Sequence, residues 1–228
     1  MTKLYVSGGG SKKDSKLVNE NFVKTIGIER NVIYIPIAID QSKHPFDECY
    51  KYIKSMLEPF GIKNIEMWTD LKDKSTPAID KYSAIYIGGG NTFSLMYEII
   101  QNNFSSILKE FIKTGGVVYG GSAGAILMGK SLATCLHSDE NKVNLRNLNG
   151  LNYLNGYSIW CHYKDIEEEL ALKCSKYYTL PIIAVPEASG LYLENSKIIT
   201  MGYKKCILFK DKKKIILDVG SNLLEANS

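Results

Sequence analysis

Histidine is scarce in this chain of 228 residues: His44, His137 and His162 are the only three. Chemistry that needs an imidazole near neutral pH must run through one of them. Cysteine is limited to Cys49, Cys135, Cys161, Cys174 and Cys206, an odd number without a C-x-x-C pair. That pattern argues against a disulfide framework and for a reducing compartment, so a cytoplasmic location is expected. Metal-ligand spacing is missing too. Cys161 and His162 are adjacent, which suits joint ligation of one ion poorly, and no second pair accompanies them. Neither a metal nor an organic cofactor is expected. No apolar run reaches the length of a membrane span, and residues 1–6 enter a strand-like segment without a signal-peptide core. A soluble protein without a membrane partner follows as the expectation.

Charge of one sign is not concentrated anywhere. The formal net charge is +4, and the densest basic run, Lys210-Asp211-Lys212-Lys213-Lys214, reads as a polar turn between two apolar strands. This excludes the basic patch that a nucleic-acid partner calls for. Complete phosphate-binding fingerprints are also missing. Gly8–Gly10 and Gly88–Gly90 both fail G-x-G-x-x-G, because Lys13 and Phe93 stand where the last glycine belongs, and no G-x-x-x-x-G-K-[ST] exists.

Short, β-branched apolar runs alternate with helix-like stretches over most of the length. Strands are expected at residues 4–6, 32–37, 65–68, 84–87, 117–119, 159–161 and 182–185, and helices at 14–26, 45–57, 92–101, 106–113 and 166–178. Runs of this kind suit strands buried on both faces, so the alternation predicts an α/β fold with a mostly parallel, doubly wound sheet. After Pro186 the pattern changes to short strands at 191–193, 197–201, 206–209 and 215–217, which read as C-terminal hairpins at a sheet edge. With no linker, repeat or low-complexity tract, residues 1–228 read as one domain. Fifteen tyrosines fit either a core or an interface; a homodimer is compatible with them, but no residue pattern compels it.

The most informative segment is Gly120-Gly121-Ser122-Ala123-Gly124, between the strand-like Val117-Val118-Tyr119 and the helix-like Ala125-Ile126-Leu127-Met128. A nucleophile on a strand–turn–helix elbow needs small neighbours, and the following helix aims backbone N–H groups at the turn. A plain glycine turn is the competing reading. His162 follows the strand at 159–161, so it sits at a carboxyl end like Ser122, where open parallel sheets bind ligands. There it can take the Ser122 proton and return it to a leaving amine; the alternative is a surface loop histidine. The cluster Gly88-Gly89-Gly90-Asn91-Thr92 lies at the same kind of junction. Backbone N–H groups at Gly89 or Gly90, beside Asn91, would complete an oxyanion and substrate-binding site with the Ala123 N–H. An α/β-hydrolase is a poor fit, since the last histidine falls only 40 residues beyond Ser122.

Taken together, Ile87-Gly88-Gly89-Gly90-Asn91-Thr92-Phe93, Gly121-Ser122-Ala123-Gly124-Ala125, His162-Tyr163 and Val185-Pro186-Glu187-Ala188 resemble peptidase family S51, which includes dipeptidase E and cyanophycinase. The match runs from the first strand to about residue 195. It implies a class I glutaminase-like, flavodoxin-like sheet, with Ser122 as nucleophile and His162 as general base. Two departures matter. Where dipeptidase E carries an aspartate, this chain has His137, with Asp139 and Glu140 the nearest carboxylates. The third catalytic member is therefore Asp139 or Glu187; cyanophycinase uses a glutamate in the late segment, and the strand-end position of Glu187 favours it. Asp139 and Glu140 otherwise simply face water.

The second departure concerns specificity. Recognition of an aspartyl side chain calls for a cation, ideally arginine. The stretch after His162 offers Lys164 and three glutamates but no arginine, leaving Arg146 and Lys164 as the anion partners to consider. The expected function is serine-type hydrolysis of short peptides. The alternative is a peptide- or small-molecule-binding module that kept the elbow but lost a working relay. A carboxylate beyond about 3.5 Å from both His162 ring nitrogens would favour the module. An esterase with the same serine is a third reading.

Overall fold

The computed structural model of the chain describes residues 2–28 and 30–223. Five parallel strands form the centre: β1 (Lys3–Ser7), β2 (Asn31–Ile35), β3 (Asn64–Met67), β4 (Ala84–Ile87) and β5 (Val117–Gly121). An antiparallel hairpin, β8 (Ser189–Glu194) and β9 (Lys197–Gly202), extends the edge beside β1, giving the order β3-β2-β4-β5-β1-β8-β9. The fold is thus α/β with a mixed, mostly parallel main sheet.

Side chains alternate along each strand, which separates two cores. Tyr5, Val32, Tyr34, Ala84, Tyr86, Val117 and Tyr119 face α1 (Lys16–Ile26) and α2 (Phe46–Leu57), which contribute Phe22, Ile53 and Met56. Tyr86 and Tyr119 stack with ring centres 4.1 Å apart, and Phe22 of α1 meets Tyr119 edge-on. Such aromatic pairs add about 0.5–1.5 kcal/mol beyond area burial. Part of the tyrosine abundance is therefore core. On the opposite face Leu4, Val6, Ile33, Ile35, Ile85, Ile87 and Val118 pack against α4 (Thr92–Gln101), α5 (Phe104–Lys113) and α6 (Ala123–Met128). A single turn, α3 (Thr76–Ile79), precedes β4.

The strands expected at 159–161 and 182–185 form, but not in the main sheet. They are β6 (Ser158–Cys161) and β7 (Ile182–Val185), a parallel pair in a second sheet ordered β11-β10-β7-β6, with β10 (Cys206–Lys210) and β11 (Lys213–Leu217). The expectation of one parallel sheet is corrected on this point. The free edge of β1 is taken by β8, which follows β7 after a short turn. The inner face of the second sheet, with Ile159, Cys161, Ile183 and Val185, joins the α4–α6 core. Its outer face, with Trp160, Ile182, Ala184 and Phe209, is covered by α7 (Glu168–Tyr178) through Ala171. The expected C-terminal hairpins accordingly divide between two sheet edges. Among the described residues no helix is long and apolar enough to cross a membrane.

Candidate active site

Register explains why distant residues converge. Gly121, the last residue of β5, pairs with Ser7 of β1, and Gly120 pairs with Ile87 of β4. The residues that follow these three strands therefore meet at one sheet edge: Ser122, Gly8 and the Gly88–Gly90 loop. The Ser122 N–H donates to the Ser7 carbonyl at 3.2 Å. Ser122 itself adopts φ 51°, ψ −111°, an unfavourable conformation for a residue with a Cβ. Two glycines make the turn feasible. A Cβ on Gly120 would stand 2.5 Å from the Gly124 carbonyl oxygen, and one on Gly124 would stand 2.5 Å from that of Ile87. The elbow glycines are thus required by close backbone approach.

His162 is the first residue after β6, and Glu187 lies two residues beyond β7. Because these strands are parallel neighbours with Cys161 opposite Val185, their carboxyl ends emerge side by side. The His162 N–H donates to the Gly8 carbonyl at 3.0 Å, which couples the second sheet to the main one. His162 also adopts a left-handed backbone, φ 55°. Its Nε2 lies 2.8 Å from Ser122 Oγ, and its Nδ1 lies 2.9 Å from Glu187 Oε1. Both distances are within ordinary hydrogen-bond range. The His162 and Glu187 side chains are a little under half exposed.

Asp139, the other candidate for the third position, makes no bond to His162 among the described residues. Its Oδ2 accepts from the Thr92 N–H at 2.7 Å, at the start of α4. Asn91 is the N-cap of the same helix: its Oδ1 accepts from the Ser94 N–H, and its Nδ2 donates to the Glu140 carbonyl, both at 2.9 Å. Asn91 and Asp139 therefore tie the loop at 138–140 to the glycine loop. Gly89 adjoins the serine, since a Cβ there would stand 3.2 Å from Ser122 Cβ. Gly90, at φ +124°, packs so tightly that a Cβ would stand 2.1 Å from the Ala38 carbonyl oxygen. Among the described residues neither the Gly89 nor the Gly90 N–H donates to a protein acceptor. His137 lies elsewhere, stacked on Trp160 with ring centres 4.1 Å apart and 3.5 Å from Glu167.

Ser122 and His162 open into a cavity of about 1080 Å³. Neither Arg146 nor Lys164 lines it. The sequence reading missed two contributors. Gly9 gives way to the imidazole of His162, and α2 supplies a wall that includes Cys49, Tyr52, Ile53 and Met56. The glycine triplet after β1 carried a signal for the first; nothing local signalled the second. Cys135 and Cys161 are held in the thiol form at neutral pH. Burial pushes Cys135 up to about 12, and Cys161, beside His162 in sequence, higher still. Among the described residues no cluster of histidine, cysteine, aspartate or glutamate could hold a metal ion.

Residues 4–201 match the model of peptidase family S51. The chain is 28% identical over 156 residues to peptidase E of a Shewanella species, which covers 64% of this chain and 65% of that protein. It is 25% identical over 210 residues to peptidase E of Shewanella amazonensis, covering 86% and 85%. A candidate peptidase E from Listeria monocytogenes EGD-e has a similar crystal structure, with a TM-score of 0.72 at 26% identity over 90% of this chain and 100% of that one. A peptidase from an acI-B1 actinobacterium shares the fold, with a TM-score of 0.76 at 14% identity over 97% and 96%. With the family match covering most of its length, the chain belongs to peptidase family S51, a family of serine peptidases.

Proposed function

We propose that this protein hydrolyses short peptides by a serine mechanism, in the manner of dipeptidase E. The observation that carries the proposal is the unbroken chain from Ser122 Oγ through His162 to Glu187, at 2.8 and 2.9 Å. An ionised carboxylate only accepts hydrogen bonds, so Glu187 holds the imidazole proton on Nδ1 and leaves Nε2 free to accept from the serine. Ser122 Oγ attacks the scissile carbonyl as His162 takes its proton. The imidazolium formed is stabilised by Glu187. His162 then delivers that proton to the leaving amine, and water hydrolyses the acyl-enzyme by the same relay. The Ala123 N–H with that of Gly89 or Gly90 receives the oxyanion; such donors are each worth about 3 kcal/mol. Asn91 and Asp139 keep the glycine loop in position.

The sheet is read as class I glutaminase-like, supported by five parallel strands with the nucleophile elbow after β5. The carboxylate within hydrogen-bond reach of His162 favours the peptidase reading over the binding module. The test is hydrolysis of a dipeptide and tripeptide library that scans the N-terminal residue, with wild type beside Ser122→Ala. Cleavage by wild type alone is expected. Silence from both folded proteins, or equal cleavage by both, overturns the proposal.

A further inference from the structure

The cavity at Ser122 carries chemistry that the relay does not use. On its α2 side it is lined by Tyr34, Cys49, Tyr52, Ile53, Met56 and Tyr86. All of these except Tyr52 belong to the core between α2 and the tyrosine face of the sheet. The recess adjoins the reacting groups directly. A Cβ on Gly121 would stand 3.6 Å from the Tyr86 hydroxyl, and one on Gly88 would stand 3.3 Å from the Tyr34 ring. Tyr52 reaches from α2 to the Gly10 carbonyl, where its hydroxyl donates at 3.4 Å. The recess is also uncharged: burial raises Tyr34, Cys49 and Tyr86, so they stay protonated at neutral pH.

The charged residues lining the same cavity are Asp40, Glu48, Asp139, Glu140 and Lys142, with His44 and His162 as the histidines. Hydrogen bonds from Ser42 hold Asp40 below the usual carboxylate range, so it is ionised at neutral pH. Lys142, the single ammonium among the described lining residues, lies 3.4 Å from Glu140. No arginine lines the cavity among the described residues. A substrate carboxylate entering here meets like charge and one already partnered lysine, with no bidentate guanidinium to receive it. A large apolar side chain meets aromatic rings, a thioether and an aliphatic wall.

We infer that this site selects peptides bearing a large, uncharged apolar residue beside the scissile bond, seated in the α2 recess, and disfavours acidic residues there. The inference rests on the peptidase reading above, because it takes the ligand to be a peptide at Ser122. It is tested by calorimetric binding to the Ser122→Ala protein. The probes are two sets of dipeptides and tripeptides that differ only in whether Phe, Leu or Met, or instead Asp or Glu, flanks the scissile bond on either side.

Binding about tenfold tighter or more is expected for the apolar set, the scale at which a hydrophobic pocket discriminates. Tyr52→Arg, a change at a partly exposed helix position, is expected to narrow that ratio severalfold by adding a cation to the recess. Equal or tighter binding of the acidic set overturns the inference, as does no binding of either set. Wild-type hydrolysis of the same peptides separates the two readings. Apolar-selective binding without cleavage keeps the selectivity and removes the serine mechanism. Cleavage led by aspartyl peptides keeps the mechanism and removes the selectivity.

Discussion

The imidazole of His162 fills the space that a side chain on Gly9 would need: a Cβ there would stand 2.1 Å from His162 Cε1. Gly9 also has φ +92°, a backbone that L-residues rarely adopt. Gly9→Ala is therefore expected to push the ring away from Ser122 rather than to unfold the protein, because the clash is with a movable side chain. A displacement near 1 Å at a reacting group costs about 10²-fold in rate. Steady-state kinetics beside a thermal melt check this; a full-rate Gly9→Ala enzyme contradicts the placement.

Ser122→Ala removes the proposed nucleophile without touching a packing contact that the elbow glycines need. The loss in kcat is expected to be about 10⁴-fold or more, with the melting temperature close to wild type. Circular dichroism and peptide hydrolysis measure the two halves of the prediction.

Glu187 and Asp139 should separate cleanly. Glu187→Gln keeps the size but removes the charge proposed to stabilise the imidazolium, so kcat is expected to fall by about 10²- to 10⁴-fold, with Glu187→Asp recovering part of it. Asp139→Ala removes the carboxylate that meets the Thr92 N–H at the start of α4. Its main effect is expected to be a stability loss of about 1–3 kcal/mol, the scale of a lost hydrogen bond to a charged acceptor. Denaturant titration and kinetics on the pair distinguish a relay member from a loop anchor.

Thiol reagents should spare the enzyme while serine reagents stop it. Cys49, Cys135, Cys161 and Cys206 are buried and Cys174 is half-buried, with Cys135 pushed up to about 12 and Cys174 to about 11 by burial. A pKa raised this far leaves almost no thiolate at neutral pH, and the fraction grows only as the pH climbs toward those values. Iodoacetamide at pH 7 is expected to leave peptide hydrolysis intact, while a fluorophosphonate labels Ser122 and abolishes it. Inactivation that tracks alkylation of Cys161 contradicts this.

Local features could be read from the amino-acid order alone. Ser122 was legible because the elbow's glycines, flanking strand and following helix are contiguous, and His162 because it ends an apolar run. Alternating strands and helices were legible because side-chain periodicity is a property of neighbouring residues. Features that depend on register between distant segments emerge only in the folded chain. Glu187 reaches His162 because β6 and β7 pair in parallel with Cys161 opposite Val185, a pairing that no local pattern encodes. Asp139 is nearer to the serine in sequence, yet its carboxylate meets the α4 backbone instead. That β6 and β7 leave the main sheet was equally hidden. A strand buried on both faces has the same composition in either sheet, and in the fold the edge of β1 is taken by β8 instead. The apolar wall contributed by α2 belongs to the same class, because a helix shows which face is apolar but not which cavity that face will border.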